Sequence, residues 1–438
     1  MKRMLICCIA LLLAGASMFE SADARDWYVS AATGKGKAGT IEKPAKDLGN
    51  IISLLADGDR IFIAEGTYPG RGENGHDGIT VPVEIYGGWD ANFKQRDPWG
   101  AHRTILSGSN KSANWDGGYR LSIDLSKWRK NAEHRIVVDG IIVDNGDRNR
   151  YATEAQNKII RSANPKNGEM PTPESGGISV APWKLGDAVI RNCIVMNTAP
   201  TDGAFSIWGH QSSEMVIENN LAINNTGNGF SLHTSWHPRE GQDIPIFTFK
   251  NNTSLFNEKH DAMATYGGAA LKLESDTQVT ATDCVFAFND YYGVDNAKRA
   301  QGVILSANAF AGNLRADYLE FDTKMNLDVL EDEAENLDEA EENVAAEFQI
   351  PIPADWTAKY AARVVIDRNA AEADVQAIGG WENSVRSILG LNLQGTDLKI
   401  DTDVWLPRLG LEDGIKAGSS KYATLYGCQN PGVSGPID

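Results

Sequence analysis

Four of the seven histidines in this 438-residue chain, His210, His233, His237 and His260, fall between the indoles Trp183 and Trp208 and the pair Lys272 and Glu274. Arg239 lies among them. Indole faces stack on the C–H surfaces of sugar rings, and an imidazole or desolvated ammonium accepts a proton. A guanidinium neutralises a developing negative charge. β-Elimination of a uronate asks for such a set: a base for the C5 proton, a cation beside the enolate, and an acid or water for the leaving oxygen. His233 and His237 would chelate a transition metal if they lay on a helix. Their segment reads as a strand running into a loop, so that geometry does not apply.

These residues must be positioned by a repeat. Gly177-Ile178-Ser179-Val180, Ala204-Phe205-Ser206-Ile207, Gly229-Phe230-Ser231-Leu232 and Gly268-Ala269-Ala270-Leu271 align. The leading glycines, Gly177, Gly203, Gly229 and Gly268, are 26, 26 and 39 residues apart. A second apolar stretch follows each one, with Asn192, Asn219-Asn220, Asn251-Asn252, Asp283-Cys284 and Asn308 at its turn. Ile136 to Val143 reads as an earlier copy. Strands of three to five residues cannot bury a face alone, so they must stack on their equivalents in neighbouring coils. Asn suits the turn because it tolerates left-handed backbone angles and its amides can bond from coil to coil. The expected fold is therefore an all-β solenoid. With the first strand of each coil aligned, Ala181, Trp208, His233 and Lys272 fall in one outward column, and Trp183, His210, Ser235 and Glu274 in a second.

The beginning of the chain resembles a known family. Trp27-Tyr28-Val29-Ser30, Gly39-Thr40, Lys43-Pro44, Asp57-Gly58-Asp59-Arg60-Ile61 and Ala64-Glu65-Gly66-Thr67-Tyr68 look like the cap of pectate-lyase-like right-handed parallel β-helix proteins. Ile85-Tyr86-Gly87-Gly88-Trp89-Asp90, with Phe93 and Arg96-Asp97-Pro98, is similar to the next coil of many exported bacterial members. The resemblance implies a single-stranded right-handed parallel β-helix over residues 25–316, with the cap at 25–100. For activity it implies less, because the family includes lyases, hydrolases, epimerases, adhesins and non-catalytic surface proteins. Asn228 to His233 is similar to the strand that bears the base in some β-helix lyases, with His233 where those carry lysine. Lys272 is the candidate that would restore it. The Asp-Pro-His-Asp stretch of mannuronan epimerases and the Asn-Thr-Asp and Asp-Asp pair of inverting hydrolases are missing; Gly209-His210 matches only a Gly-His fragment of the latter.

The ends read differently. Lys2, Arg3, the apolar run Leu5 to Ala14 and the small residues Ala22 and Ala24 form a signal peptide over residues 1–24. Export to the periplasm, cell surface or medium is expected, with no integral membrane segment afterwards. Cys193, Cys284 and Cys428 then remain, too few and too odd for a disulfide framework. Residues 317–347 read as an acidic linker or short helix, since ten acids and no Lys or Arg lie between Leu327 and Phe348. Residues 348–438 read as an extension packing on the solenoid, helical from Ala354 to Ala377 and in short strands from Arg386 to Leu409.

The formal charge of −18 excludes a nucleic-acid partner, which would require a basic stripe. More than half of that excess sits in the acidic segment, so an anionic glycan is still compatible with the coils. Two functions follow. One is a lyase acting on an extracellular acidic polysaccharide, with His233 or Lys272 as base, Arg239 as charge neutraliser, and Trp183, Trp208, His210, His237 and Glu274 holding substrate. The other is a non-catalytic surface or matrix protein that binds carbohydrate on the same face. Calcium is the cofactor considered, at Asp187, Asp202, Asp243 or Asp261, none of which has a partner at ligand spacing.

Overall fold

Each turn of the chain lays down three short strands, and like strands of successive turns pair in parallel. The computed structural model describes residues 24–345 apart from 72–74, 108–117, 129–134, 146–174, 184–185, 199–201, 226, 235–237, 240, 258–267 and 314, together with 415–416 and 425–435. Among the described residues the coils form three sheets of ten, nine and nine strands, beside a separate two-stranded pair at 415–416 and 425–426. The first runs from Asp26–Val29 to Leu337–Glu339, the second from Gly66–Tyr68 to Val344–Ala345, and the third from Asp77–Ile79 to Thr323–Met325. One coil shows the order: Asn228–Thr234 joins the third sheet, Ile246–Lys250 the first and Thr253–Leu255 the second. The all-β solenoid is as expected from the repeats.

Alternation along each strand sends one set of side chains inward. Phe205 and Phe230 stack inside with centroids 4.6 Å apart, and Phe249 packs edge-on against Phe230. All three are fully buried, which is worth roughly 1.5–3 kcal/mol for each such side chain. The outer face of the second sheet is apolar too. Ile142, Ile194, Met196, Leu221, Ile223 and Leu255 are all buried in a cluster that includes Trp99 near the beginning of the chain and Tyr426 and Cys428 near its end.

Two asparagine ladders tie the coils together, where the sequence suggested one. At the turn from first to second sheet, Asn192, Asn219, Asn251, Asp283 and Ala307 take left-handed angles with φ between 52° and 56°. The next residue stacks instead. Cys193 N–H donates to Asn220 Oδ1, Asn220 Nδ2 to Asn252 Oδ1, and Cys284 N–H to Asn308 Oδ1. At the turn from second to third sheet, Asn225, Asn257, Asn289 and Asn313 form the same chain of amide bonds. A buried amide must be satisfied, and stacking satisfies each one with its own copy in the next coil.

The solenoid does not stop near residue 316. Ala316–Glu320 pairs with Tyr292–Asn296, Leu337–Glu339 with Val303–Ser306, and Val344–Ala345 with Ala309–Ala311. The segment read as an acidic linker or short helix over 317–347 therefore builds the last coil, with a short helix at Leu327–Glu333 within it. Asn343 continues the first ladder, accepting from the backbone and side chain of Asn308. The helix Leu327–Glu333 buries Leu330, which with Met325 and Ala340 closes the end of the core. Its acids point outward, and among the described residues the antiparallel strand Thr323–Met325 is the last of the third sheet.

From residue 425 to 435 the chain runs back along the solenoid: Gly427 N–H donates to Asp283 O, Cys428 N–H to Thr253 Oγ1, Gln429 N–H to Asn219 Oδ1, and Ser434 pairs with Arg96. Cys193, Cys284 and Cys428 are buried free thiols. The expected signal peptide and the elements expected from Ala354 to Leu409 lie outside the described residues. Among the described residues no helix is long and apolar enough to cross a membrane.

Candidate functional site

The outer face of the third sheet carries the chemistry-bearing side chains. Phe205, Ile207, Phe230, Leu232, Leu271 and Leu273 point into the core, which turns Ser206, Trp208, Ser231, His233 and Lys272 the other way. Register pairs Trp208 with His233, and Ser206 with Ser231, Lys272 and Asp295 in succession. Lys272 is thus two residues away from the column expected for it. Glu274 takes the place beside His233 instead, its N–H bonded to Leu232 O.

This shift brings five ionisable groups together. His233 Nε2 meets Asp202 Oδ2, and His233 Nδ1 lies 3.9 Å from Glu274 Oε1. Lys272 Nζ is 3.0 Å from Glu274 Oε1 and 3.4 Å from Asp202 Oδ1. Ser231 Oγ donates to Asp202 Oδ1 at 3.0 Å. Trp208 covers the imidazole and donates its indole N–H to Ser206 Oγ. The face was expected to be open, yet His233 is 5% and Lys272 6% exposed. Asp202, Ser231 and Asp295 were not expected in the cluster. The signal for Asp202 was its position just before Gly203, one coil from His233.

Electrostatics divide the roles. Burial alone would raise the Asp202 carboxyl, but the His233 hydrogen bond and charge, with Lys272, outweigh it and hold the pKa at about 2. Burial works against the Lys272 ammonium, yet Asp202 and Glu274 overcome it and raise its pKa. A lysine held protonated by two carboxylates serves as a cation and not as a base. Burial raises the Asp295 carboxyl, against the pull of the Ala297 N–H and Lys272.

The other expected residues lie apart. Trp183 and His210 form their own pair, with ring centroids 5.0 Å apart, and Trp183 packs on the core. Arg239 is exposed, and its described hydrogen bonds are backbone ones to Gln242 in its own loop. His237, His260, Ser235 and Asp261 lie outside the described residues. Asp187 accepts from Glu214 N–H and Asp243 from Ser212 Oγ. Among the described residues no three His, Cys, Asp or Glu side chains are arranged to hold a metal.

Residues 129–310 match the family described as the right handed beta helix region. The solenoid is a right-handed parallel β-helix. Solved structures similar to this β-helix include pectate lyase Pel9A, at 13% identity over 73% of this chain and 79% of that one, TM-score 0.37. XylC in complex with xylose is 12% identical over 67% and 63%, TM-score 0.35. A GH136 lacto-N-biosidase from Eubacterium ramulus is 10% identical over 69% and 68%, TM-score 0.15. No curated protein matches the chain.

Proposed function

We propose that this β-helix protein acts outside the cytoplasm on polysaccharide, cleaving a uronate-containing glycan by β-elimination at the outer face of its third sheet. The observation that carries this reading is the clamping of His233 between the indole of Trp208 and the carboxylates of Asp202 and Glu274. An imidazole with its ring plane fixed and one nitrogen anchored on a carboxylate is oriented for proton transfer. In its neutral form His233 keeps its Nε2–H on Asp202 and takes the C5 proton at Nδ1. Lys272 supplies the positive charge facing the enolate, in place of Arg239, and the leaving oxygen is protonated by water.

A second reading is favoured by one specific observation. His233 and Lys272 are buried and paired, as in an ion network that secures coils to one another. On that reading the protein is a non-catalytic cell-surface or matrix protein that binds carbohydrate. Incubation of the full chain with polygalacturonate, alginate and glycosaminoglycans, with and without calcium, separates the two. Ultraviolet absorbance of an unsaturated uronate that disappears in His233→Ala is expected. No such absorbance on any of the polymers would refute the lyase reading, and a glycan-array hit that survives His233→Ala and Lys272→Ala would favour the binding protein.

A further inference from the structure

The corner between the first and second sheets holds a cleft of about 390 Å³ that the third-sheet cluster does not share. Arg191, Asn192, Glu218, Asn219 and Asn251 line one side, and Gln429 on the returning C-terminal chain lines the other. The volume lies within the range of about 300–1,000 Å³ typical of ligand pockets. Both walls are fixed in advance. Gln429 N–H donates to Asn219 Oδ1 at 2.6 Å, Asn219 Nδ2 donates back to Gln429 O at 2.9 Å, and Cys428 beside it is buried. A cleft ordered before its ligand arrives spends little binding energy on closing.

The groups inside are polar and partly unused. The side chains of Glu218, Asn251 and Gln429 make no hydrogen bond to a described residue, and Arg191 bonds Asp139 through Nε at 2.7 Å. Charges of both signs border the cleft: Arg191 shares the Asp139 carboxylate with the buried Arg96, and Glu218 is in register beside Lys250. A phosphate or uronate would meet the Glu218 carboxylate on the same wall, and like charges repel. The matching ligand is neutral and carries groups that donate and accept at once, as adjacent sugar hydroxyls do against amides, guanidinium and carboxylate. The set also repeats. Arg191-Asn192, Glu218-Asn219 and Lys250-Asn251 recur one coil apart, about 4.8 Å, comparable with one pyranose ring.

We propose that this cleft is a second carbohydrate-binding subsite, taking a neutral oligosaccharide that runs along the solenoid axis. Isothermal titration of the full chain with cellotetraose, maltotetraose and mannotetraose tests it, with tetragalacturonate as the anionic comparison. At least one neutral tetrasaccharide binds, the double variant Glu218→Ala with Asn251→Gly weakens it about tenfold or more, and His233→Ala leaves it unchanged. Glycine at 251 keeps the left-handed angle, so the double variant should melt as the parent does. Binding of none of the three, binding unaffected by the double variant, or tighter binding of tetragalacturonate would overturn the proposal.

Discussion

Trp208 lies flat over His233, the ring centroids 4.3 Å apart and the planes 18° from parallel. The contact joins neighbouring coils on the outside of the sheet, above the inner stack of Phe205 and Phe230. Trp208→Ala should therefore destabilise the fold by about 1–3 kcal/mol, from lost burial and lost stacking, and Trp208→Phe should recover most of it. Urea denaturation measures both. Equal midpoints for the parent and the alanine variant would show that the stack contributes nothing.

Asp202 sets an acid limit on that arrangement. Its native pKa of about 2 lies below the ordinary 3.8, so its contribution is present above about pH 4 and is lost as pH falls toward 2. At neutral pH the contribution is on the order of 2 kcal/mol. Asp202→Asn should be less stable than the parent at pH 6, and the gap should narrow steadily on acidification. A gap that stays constant down to pH 2 would mean the carboxylate is not held by His233 and Lys272.

Lys272 is the cation on which two carboxylates depend. Lys272→Met leaves the partly buried Asp202 and Glu274 without it, a loss of about 1–3 kcal/mol. The double change Lys272→Met with Glu274→Gln should regain part of that loss, because one uncompensated charge is gone. Double-mutant-cycle denaturation gives the coupling, and strict additivity would contradict the 3.0 Å pair.

That pair also explains what could and could not be read in the sequence. The coil order, the apolar alternation and the asparagine turns were all legible, because stacked coils repeat the same demand on residue type. Register at Lys272 was not. Its strand has three residues, follows a long insertion, and has Leu at both 271 and 273. A slip of two residues keeps every apolar side chain facing inward, so alternation cannot detect it. Burial of the outer face was equally hidden, since a repeat specifies what its own strands do and not what lies over them. The last coil was missed because its acids mask the signature, although Asn343 stands one coil beyond Asn308.

The two residues of each asparagine turn should respond in opposite ways. Asn252 is fully buried, accepts from Asn220 N and Nδ2, and donates to Ile217 O. Asn252→Ala orphans these partners and should cost about 2–4 kcal/mol. Asn251, in the left-handed position with φ 52°, should tolerate glycine within about 0.5 kcal/mol. Thermal melts of the two variants test the division, and equal losses would refute it.

The returning C-terminal chain is held at Gly427. Its φ of +79° is unfavourable for any side chain, and a Cβ there would come 2.3 Å from Thr253 Oγ1 and 2.8 Å from Val285 Cγ2. Neither neighbour can yield freely, because Thr253 Oγ1 accepts the Cys428 N–H and Val285 pairs with Thr253 in the second sheet. Gly427→Ala should therefore lift the chain at this point while the coils beneath stay paired. Cys428 reports the event directly: burial pushes its thiol pKa up to about 12 and shields it from reagents. In the variant, thiol labelling followed by mass spectrometry should find Cys428 modified, with Cys193 and Cys284 still protected inside the ladder. Labelling of all three together would mean that the tail and the coils open as one unit, and the view of Gly427 as a local anchor would fail.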